Sequence, residues 1–313
     1  MPRILFVKTS SLGDVVHNCP AVTDVARCLP QTEIDWLVEE SFADVVALHP
    51  AVRRVIPVAL RRWRRALWKP TAWLEVVALR RTLRAQAYDA VIDTQGLVKS
   101  ALFCALASGA KHGMDRASAR EPLAARAYDV RHAIARGQHA VERNRQLTSA
   151  ALGYALPPAC DYGLHGSADT QDARRVVLLT MSSRNDKLWP EERWSALGRA
   201  LAERGLDCAL PWGSAIERAR CERLAAKIPG ARVLPAMTLG ELAQTLRGAR
   251  AVAGVDTGLS HLAVALGVPA VGIYCATDPA LTGLYGSPRL RNLGGVGMAP
   301  ATARVLAALE EWL

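Results

Sequence analysis

The sequence lacks the loops by which many α/β proteins bind nucleotides. The turn after its first apolar segment, Lys8-Thr-Ser-Ser-Leu-Gly-Asp14, holds a single glycine. It is neither a Gly-x-Gly-x-x-Gly dinucleotide fingerprint nor a Gly-Lys-Ser/Thr P-loop. The seven cysteines (Cys19, Cys28, Cys104, Cys160, Cys208, Cys221 and Cys275) include no Cys-x-x-Cys pair. An odd, scattered set argues for a reducing compartment and against a metal site. No apolar run reaches the roughly twenty residues that span a bilayer. The opening run, Ile4-Leu-Phe-Val7, is too short for a signal peptide. These absences point to a cytoplasmic protein. Repeats and low-complexity tracts are absent too. Aromatic residues are scarce at 5%, yet eight of them are Trp.

What is present is a chain of 313 residues, half of them hydrophobic. That length suits two domains, each with a sizeable core. The net charge of +10 is uneven: residues 1–160 hold 22 Lys/Arg against 14 Asp/Glu, and the remainder holds 17 against 15. The first half therefore suits the more acidic partner, be it nucleic acid, an anionic membrane surface or a phosphorylated substrate. The charge is densest from Arg53 to Lys69, with seven basic residues, no acid, and Trp63 and Trp68 interleaved. A solvated face is the plain reading of such a run. Arg forks that meet phosphate oxygens, beside Trp suited to a bilayer interface, are the functional one.

Short apolar strands alternate with helical segments throughout. Strands are predicted at 4–7, 34–38, 55–58 and 88–93, with helices over 15–29 and 73–86. A Pro- and Gly-rich stretch, 153–166, reads as a linker. The alternation then restarts, with strands at 176–179, 207–210, 233–234, 251–255 and 270–274 and a closing helix over 301–313. Two α/β halves joined by a linker predict two Rossmann-like domains that meet at a cleft.

Two strand-to-helix turns stand out. Asp14 ends the first, where it is either a helix N-cap or a catalytic base. The second is Ala251-Val-Ala-Gly-Val-Asp-Thr-Gly-Leu-Ser-His261. Here an apolar strand meets a polar turn and an uncharged helix, which is the layout of an anion site at a helix N-terminus. Gly258 admits a close ligand, and Asp256 or Thr257 is placed to cap the helix. A capped, buried helix with no ligand is the competing reading.

Six motifs then occur in an order that resembles one family. They are Lys8–Asp14, Arg61-Arg-Trp-Arg-Arg65, Asp93-Thr-Gln-Gly-Leu-Val-Lys-Ser100, Lys111-His-Gly-Met-Asp115, Asp186-Lys-Leu-Trp-Pro190 and Val255–His261. Together, over nearly the whole chain, they resemble the lipopolysaccharide heptosyltransferases of glycosyltransferase family 9, of the type that makes the first transfer. The resemblance implies a GT-B fold, with residues 1–160 binding acceptor and 161–300 binding ADP-heptose. The closing helix, 301–313, is expected to pack back on the first domain.

It also implies a reaction: L-glycero-D-manno-heptose moves from ADP-heptose to the first Kdo of Kdo2-lipid A, with inversion. By that likeness Asp14 is the general base, and Ser182, Ser183 and Lys187 contact donor phosphates. Asp256, Thr257, Gly258 and His261 hold diphosphate and heptose, and Glu217 and Met237 hold ribose and adenine. Arg61, Arg64, Arg65 and Arg120 meet acceptor phosphate or carboxylate. Ser182 and Ser183 stand where the family often has Thr-Thr, and Arg65 where Lys is common. No essential metal and no further cofactor are expected. Nor is nucleic acid expected as a partner. The protein should touch the anionic surface of the inner membrane from its cytoplasmic face. A related transferase acting on a later inner-core acceptor, and a non-catalytic basic anion-binding protein, are the rival readings.

Overall fold

Aliphatic runs too apolar for a half-exposed strand become parallel strands covered on both faces. The computed structural model describes residues 1–66, 68–164, 166 and 172–313. Leu67 of the basic segment and His165 of the linker stretch lie outside them. The chain forms two compact units, Met1–Gly163 and Leu164–Leu313. The first holds β1 (Arg3–Val7), β2 (Glu33–Glu39), β3 (Val52–Val58), β4 (Ala87–Asp93), β5 (Ser108–Met114) and β6 (Val130–His132). They lie in the order β3-β2-β1-β4-β5-β6, all parallel. The second holds β7 (Asp172–Leu179), β8 (Asp207–Leu210), β9 (Arg232–Val233), β10 (Ala249–Val255), β11 (Ala270–Tyr274) and β12 (Leu290–Gly294). Their order is β12-β11-β10-β7-β8-β9, again all parallel.

In a parallel sheet every strand ends on the same edge. The chain reverses its direction of growth between β1 and β4, and again between β7 and β10. Loops part at such points and leave a crevice at the carboxyl edge. Each unit thus has one natural place for a site.

Each sheet is sealed by its own helices. Leu5, Val7, Leu37 and Val91 pack with Trp63, Leu83, Phe103 and Tyr128 in the first unit. Val176, Leu178, Ala253 and Ile273 pack with Trp189, Trp194 and Leu197 in the second. Each fully buried side chain of this kind contributes about 1.5–3 kcal/mol.

One expectation is corrected. The predicted helix over 15–29 is two helices, Leu12–Val16 and Cys19–Cys28. Pro20 lacks an N–H and its ring would crowd the carbonyl of Val16, so the helix restarts with Pro in its first turn. The closing helix runs over Thr302–Glu310. Val305, Ala308 and Leu309, spaced i, i+3, i+4, complete the second unit's own core. Its entry is fixed where the Trp189 indole N–H donates to the Pro300 carbonyl at 3.0 Å.

Candidate active site

In the first unit, the chain leaves β1 through Lys8-Thr9-Ser10-Ser11 into the helix Leu12–Val16. Ser11, not Asp14, takes the N-cap position. Asp14 Oδ2 accepts from the Ser11 backbone N–H at 2.9 Å and from the Ser11 hydroxyl at 3.2 Å. Arg120 reaches the two carboxylate oxygens at 3.3 and 3.4 Å. Oδ1 has no closer partner among the described residues and keeps acceptor capacity, and the side chain is 25% exposed. Burial pushes the Asp14 pKa up, but Lys8, Arg120 and the Ser11 bonds outweigh it and hold the carboxyl below its ordinary value. The result is an ionised carboxylate, held in one orientation and open to a proton.

Lys8 stands behind it. Its ammonium is buried, 4% exposed, and donates to the Thr94 carbonyl at 2.8 Å and Asn144 Oδ1 at 3.4 Å. Burial lowers its pKa to about 8. Across the switch point the loop after β4 clamps the loop after β1. Gln95 Oε1 accepts from the Thr9 N–H and hydroxyl, both at 2.8 Å, and its amide donates to the Ser10 carbonyl at 2.9 Å. That loop is itself shaped by Asp93, which accepts from the Gln95 and Gly96 N–H groups and from the Tyr128 hydroxyl. Gly96 has φ +66°, a backbone region that disfavours side chains.

The arginine cluster lies on the short helix Leu60–Arg65, after β3. Trp63 is buried, and its indole N–H donates to Glu75 at 2.6 Å. It therefore anchors the helix and is not available to a lipid chain. Arg62 is tied to Glu40 and Glu75. Arg61 lies over the Phe42 ring at 5.1 Å. Arg64 and Arg65 are exposed and make no hydrogen bond or ion pair among the described residues.

In the second unit, the loop after β7 meets the turn after β10. The Ser182 hydroxyl donates to the Asp256 carbonyl at 2.9 Å. Asp256 Oδ2 receives the Lys187 ammonium at 2.7 Å and the Thr277 hydroxyl at 2.7 Å, and His261 Nε2 lies 3.8 Å from Oδ1. Burial would raise the Asp256 pKa, yet His261, Lys187 and Thr277 together hold it well below the carboxylate range. Neither expected cap forms. Thr257 is the N-cap of the helix Gly258–Ala265, but its side chain accepts no bond, and the Asp256 carboxylate is occupied by Lys187 and Thr277. The N–H groups of Gly258 and Leu259, in the first turn of the helix, have no acceptor within it, which is the condition for binding an anion. Gly254 lets this helix close on β10, since a Cβ there would stand 2.2 Å from the Ser260 hydroxyl.

A family model for glycosyltransferase family 9 (heptosyltransferase) matches residues 76–303. The chain belongs to glycosyltransferase family 9. It is 50% identical over 289 residues to lipopolysaccharide heptosyltransferase 1 of Pseudomonas aeruginosa, covering 91% of this chain and 81% of that one. Its structure resembles that of E. coli heptosyltransferase WaaC with ADP, at TM-score 0.92 and 44% identity, covering 99% of this chain and 100% of that one. WaaC with ADP-2-deoxy-2-fluoro heptose matches at TM-score 0.89, again at 44% identity, over 99% of each chain. The two Rossmann-like units of this family 9 chain are those of the GT-B fold.

Within this family 9 chain, Ser182, Lys187, Asp256 and His261 form one bonded cluster, with Thr257 and Gly258 on the same turn. Ser183 lies beside Ser182 on the loop after β7. Glu217, in the first turn after β8, accepts from the Gly213 N–H at 2.6 Å. Met237 follows β9, with its sulfur 3.8 Å from the Thr245 hydroxyl. All these loops leave the carboxyl edge of one parallel sheet. Asp14 and Arg120 meet, whereas Arg61, Arg64 and Arg65 sit on the separate loop after β3. Lys8, Gln95 and Thr277 belong to the two networks and were assigned no role from the sequence. Lys8 had a signal, a lysine directly after a buried strand, but Thr277 had none. Among the described residues, no three His, Cys, Asp or Glu side chains are grouped to hold a metal ion, and no helix is long and apolar enough to cross a membrane.

Proposed function

We propose that the chain transfers L-glycero-D-manno-heptose from ADP-heptose to the first Kdo of Kdo2-lipid A, with inversion at the anomeric carbon. The observation that carries this reading is Asp14, an ionised, oriented carboxylate with a free acceptor site, beside cationic groups suited to an anionic acceptor. Asp14 takes the proton of the acceptor hydroxyl. The oxygen attacks the heptose C1 from the face opposite the diphosphate, the C1–O bond to ADP breaks, and ADP leaves with the electron pair. Its developing charge is met by Lys187 and by the N–H groups at the start of Gly258–Ala265, with Ser182 and Ser183 as further donors. With that charge supplied by the protein, a chelator should leave turnover unchanged. Thr257 and His261 border the diphosphate and heptose, Glu217 accepts from a ribose hydroxyl, and Met237 lies against adenine.

Arg61, Arg64, Arg65 and Arg120 meet the phosphates of lipid A and the carboxylates of Kdo. The charge of the first unit, with Trp68, Trp73 and Leu74 exposed beside it, suits the anionic inner-membrane surface at its cytoplasmic face. The experiment is to incubate the protein with ADP-heptose and Kdo2-lipid A, and to follow ADP release and the mass of the lipid. One heptose added per ADP released is the expected result. ADP release with no heptosylated lipid would remove the acceptor assignment, and no ADP release would remove the reading as a whole.

A further inference from the structure

We infer that the second unit carries a second anion site, a phosphate-binding cavity at the amino edge of its sheet. The cavity measures about 680 Å³, and Arg247, Arg250, Arg289, Pro269 and Trp312 are among its lining. That volume is in the range of small-molecule sites. Arg250 is the second residue of β10, and Asp256 follows that strand's last residue. At about 3.3 Å per residue the two lie roughly 20 Å apart, so this cavity is not part of the donor cluster.

Its chemistry is one-sided. Three guanidinium groups line it, and Asp172, the one acid among the described lining residues, is paired with Arg175 at 2.9 Å. Arg250 makes no hydrogen bond or ion pair among the described residues. Its Nε, like that of Arg247, is buried with no partner among the described residues. Arg247 donates to the Leu164 carbonyl at 3.1 Å and to Gln244 Oε1 at 3.2 Å, and Arg289 to the Gly267 carbonyl at 2.6 Å. Those acceptors are neutral, so the two charges have no carboxylate partner among the described residues. Three guanidinium groups at one cavity, with the Arg250 Nη atoms and part of the Arg289 fork uncommitted among the described residues, call for an oxyanion carrying two or more charges. The fitting class is a phosphate ester or anhydride, with the Trp312 ring as an apolar wall. A soluble phosphate compound and a lipid headgroup share that chemistry.

The test uses inorganic pyrophosphate as probe, titrated calorimetrically into the full chain with ADP held at saturation. Wild type should still bind pyrophosphate, more weakly as salt is raised. Arg250→Gln should bind it about tenfold more weakly, the loss of one charge-assisted contact. Arg247→Gln with Arg250→Gln should abolish binding. Both variants should keep heptosyl turnover, which shows that they fold. Lys187→Ala should bind pyrophosphate as wild type does. A second arm sediments the protein with phosphatidylglycerol vesicles, using phosphatidylcholine as control. Arg250-dependent binding of pyrophosphate assigns a soluble ligand, and Arg250-dependent retention on phosphatidylglycerol alone assigns a headgroup. No binding in either arm, or binding indifferent to Arg250 in both arms, overturns the site.

Discussion

Lys187 donates to Asp256 across 2.7 Å, with the two side chains only 18% and 9% exposed. Thr277 and His261 complete the set, so the carboxylate holds the ammonium at the mouth of the turn. Charge alone says that removing Asp256 should tighten the binding of an anionic donor. Positioning says the opposite, because a freed lysine spends rotamer entropy to reach the phosphate. Lys187→Ala is expected to weaken ADP-heptose binding by about 10–100-fold, and Asp256→Asn to weaken it as well. Calorimetry with both variants decides: tighter binding by Asp256→Asn would make the pair a matter of charge and not of placement.

The arginine helix should govern the acceptor and not the donor. Replacing Arg61, Arg64 and Arg65 by Gln is expected to raise the acceptor KM and flatten its dependence on salt, because exposed charge contacts are screened. Arg62 and Trp63, which hold the helix through Glu75, are left in place. Acceptor KM values equal to wild type at two ionic strengths would reduce the cluster to a solvated face.

Lys8 should set both limbs of the pH profile. Its charge is lost as pH rises through about 8, so turnover is expected to fall above that pH. On the proposed reading Asp14 must be deprotonated, and its pKa lies below the ordinary value, so the acid limb should lie on the acid side of an ordinary aspartate's titration. In Lys8→Met, burial acts on Asp14 with one cation fewer. The acid limb should then move to higher pH, and the alkaline limb should disappear. A profile merely scaled down, with both limbs in place, would make Lys8 a packing residue.

Arg145 and Asp24 are a stability device away from the site. Both are almost wholly buried, and the guanidinium also bonds Glu142 and the carbonyls of Pro157 and Ala159. Arg145→Met leaves the Asp24 carboxylate buried and unpaired, at a cost of about 3–5 kcal/mol. Asp24→Asn with Arg145→Met should recover much of that loss. Denaturant unfolding of the two variants measures it, and a single-variant loss below about 1 kcal/mol would contradict the burial argument.

Much of this was legible along the chain, for physical reasons that differ by element. Ile4–Val7, Val176–Leu179 and Ala251–Val255 read as strands because both faces of a central parallel strand are covered, so the whole run is apolar. β6, Val-Arg-His, and β12, Leu-Arg-Asn-Leu-Gly, are sheet-edge strands with little to bury, and they passed unread. Asp14 and the Asp256 turn were visible because polar residues interrupt apolar runs there. Thr277 was not, because it reaches Asp256 only through the pairing of β10 with β11, which no local pattern encodes. Lys8 reads as part of a loop, because lysine is ordinarily solvated and nothing in the linear chain says that Thr94 and Asn144 close over it.

The central claim is that Asp14 performs chemistry and does not merely brace its helix. The direct measurement is turnover and ADP-heptose affinity on one preparation of Asp14→Asn, with circular dichroism as the check of folding. Loss of a general base slows transfer by about 10²–10⁴-fold, while a lost capping contact costs only about 1 kcal/mol of stability. The expected result is a folded variant that binds donor within about twofold of wild type, a difference under half a kcal/mol, and has lost turnover. A folded Asp14→Asn that transfers heptose at near the wild-type rate would contradict the assignment.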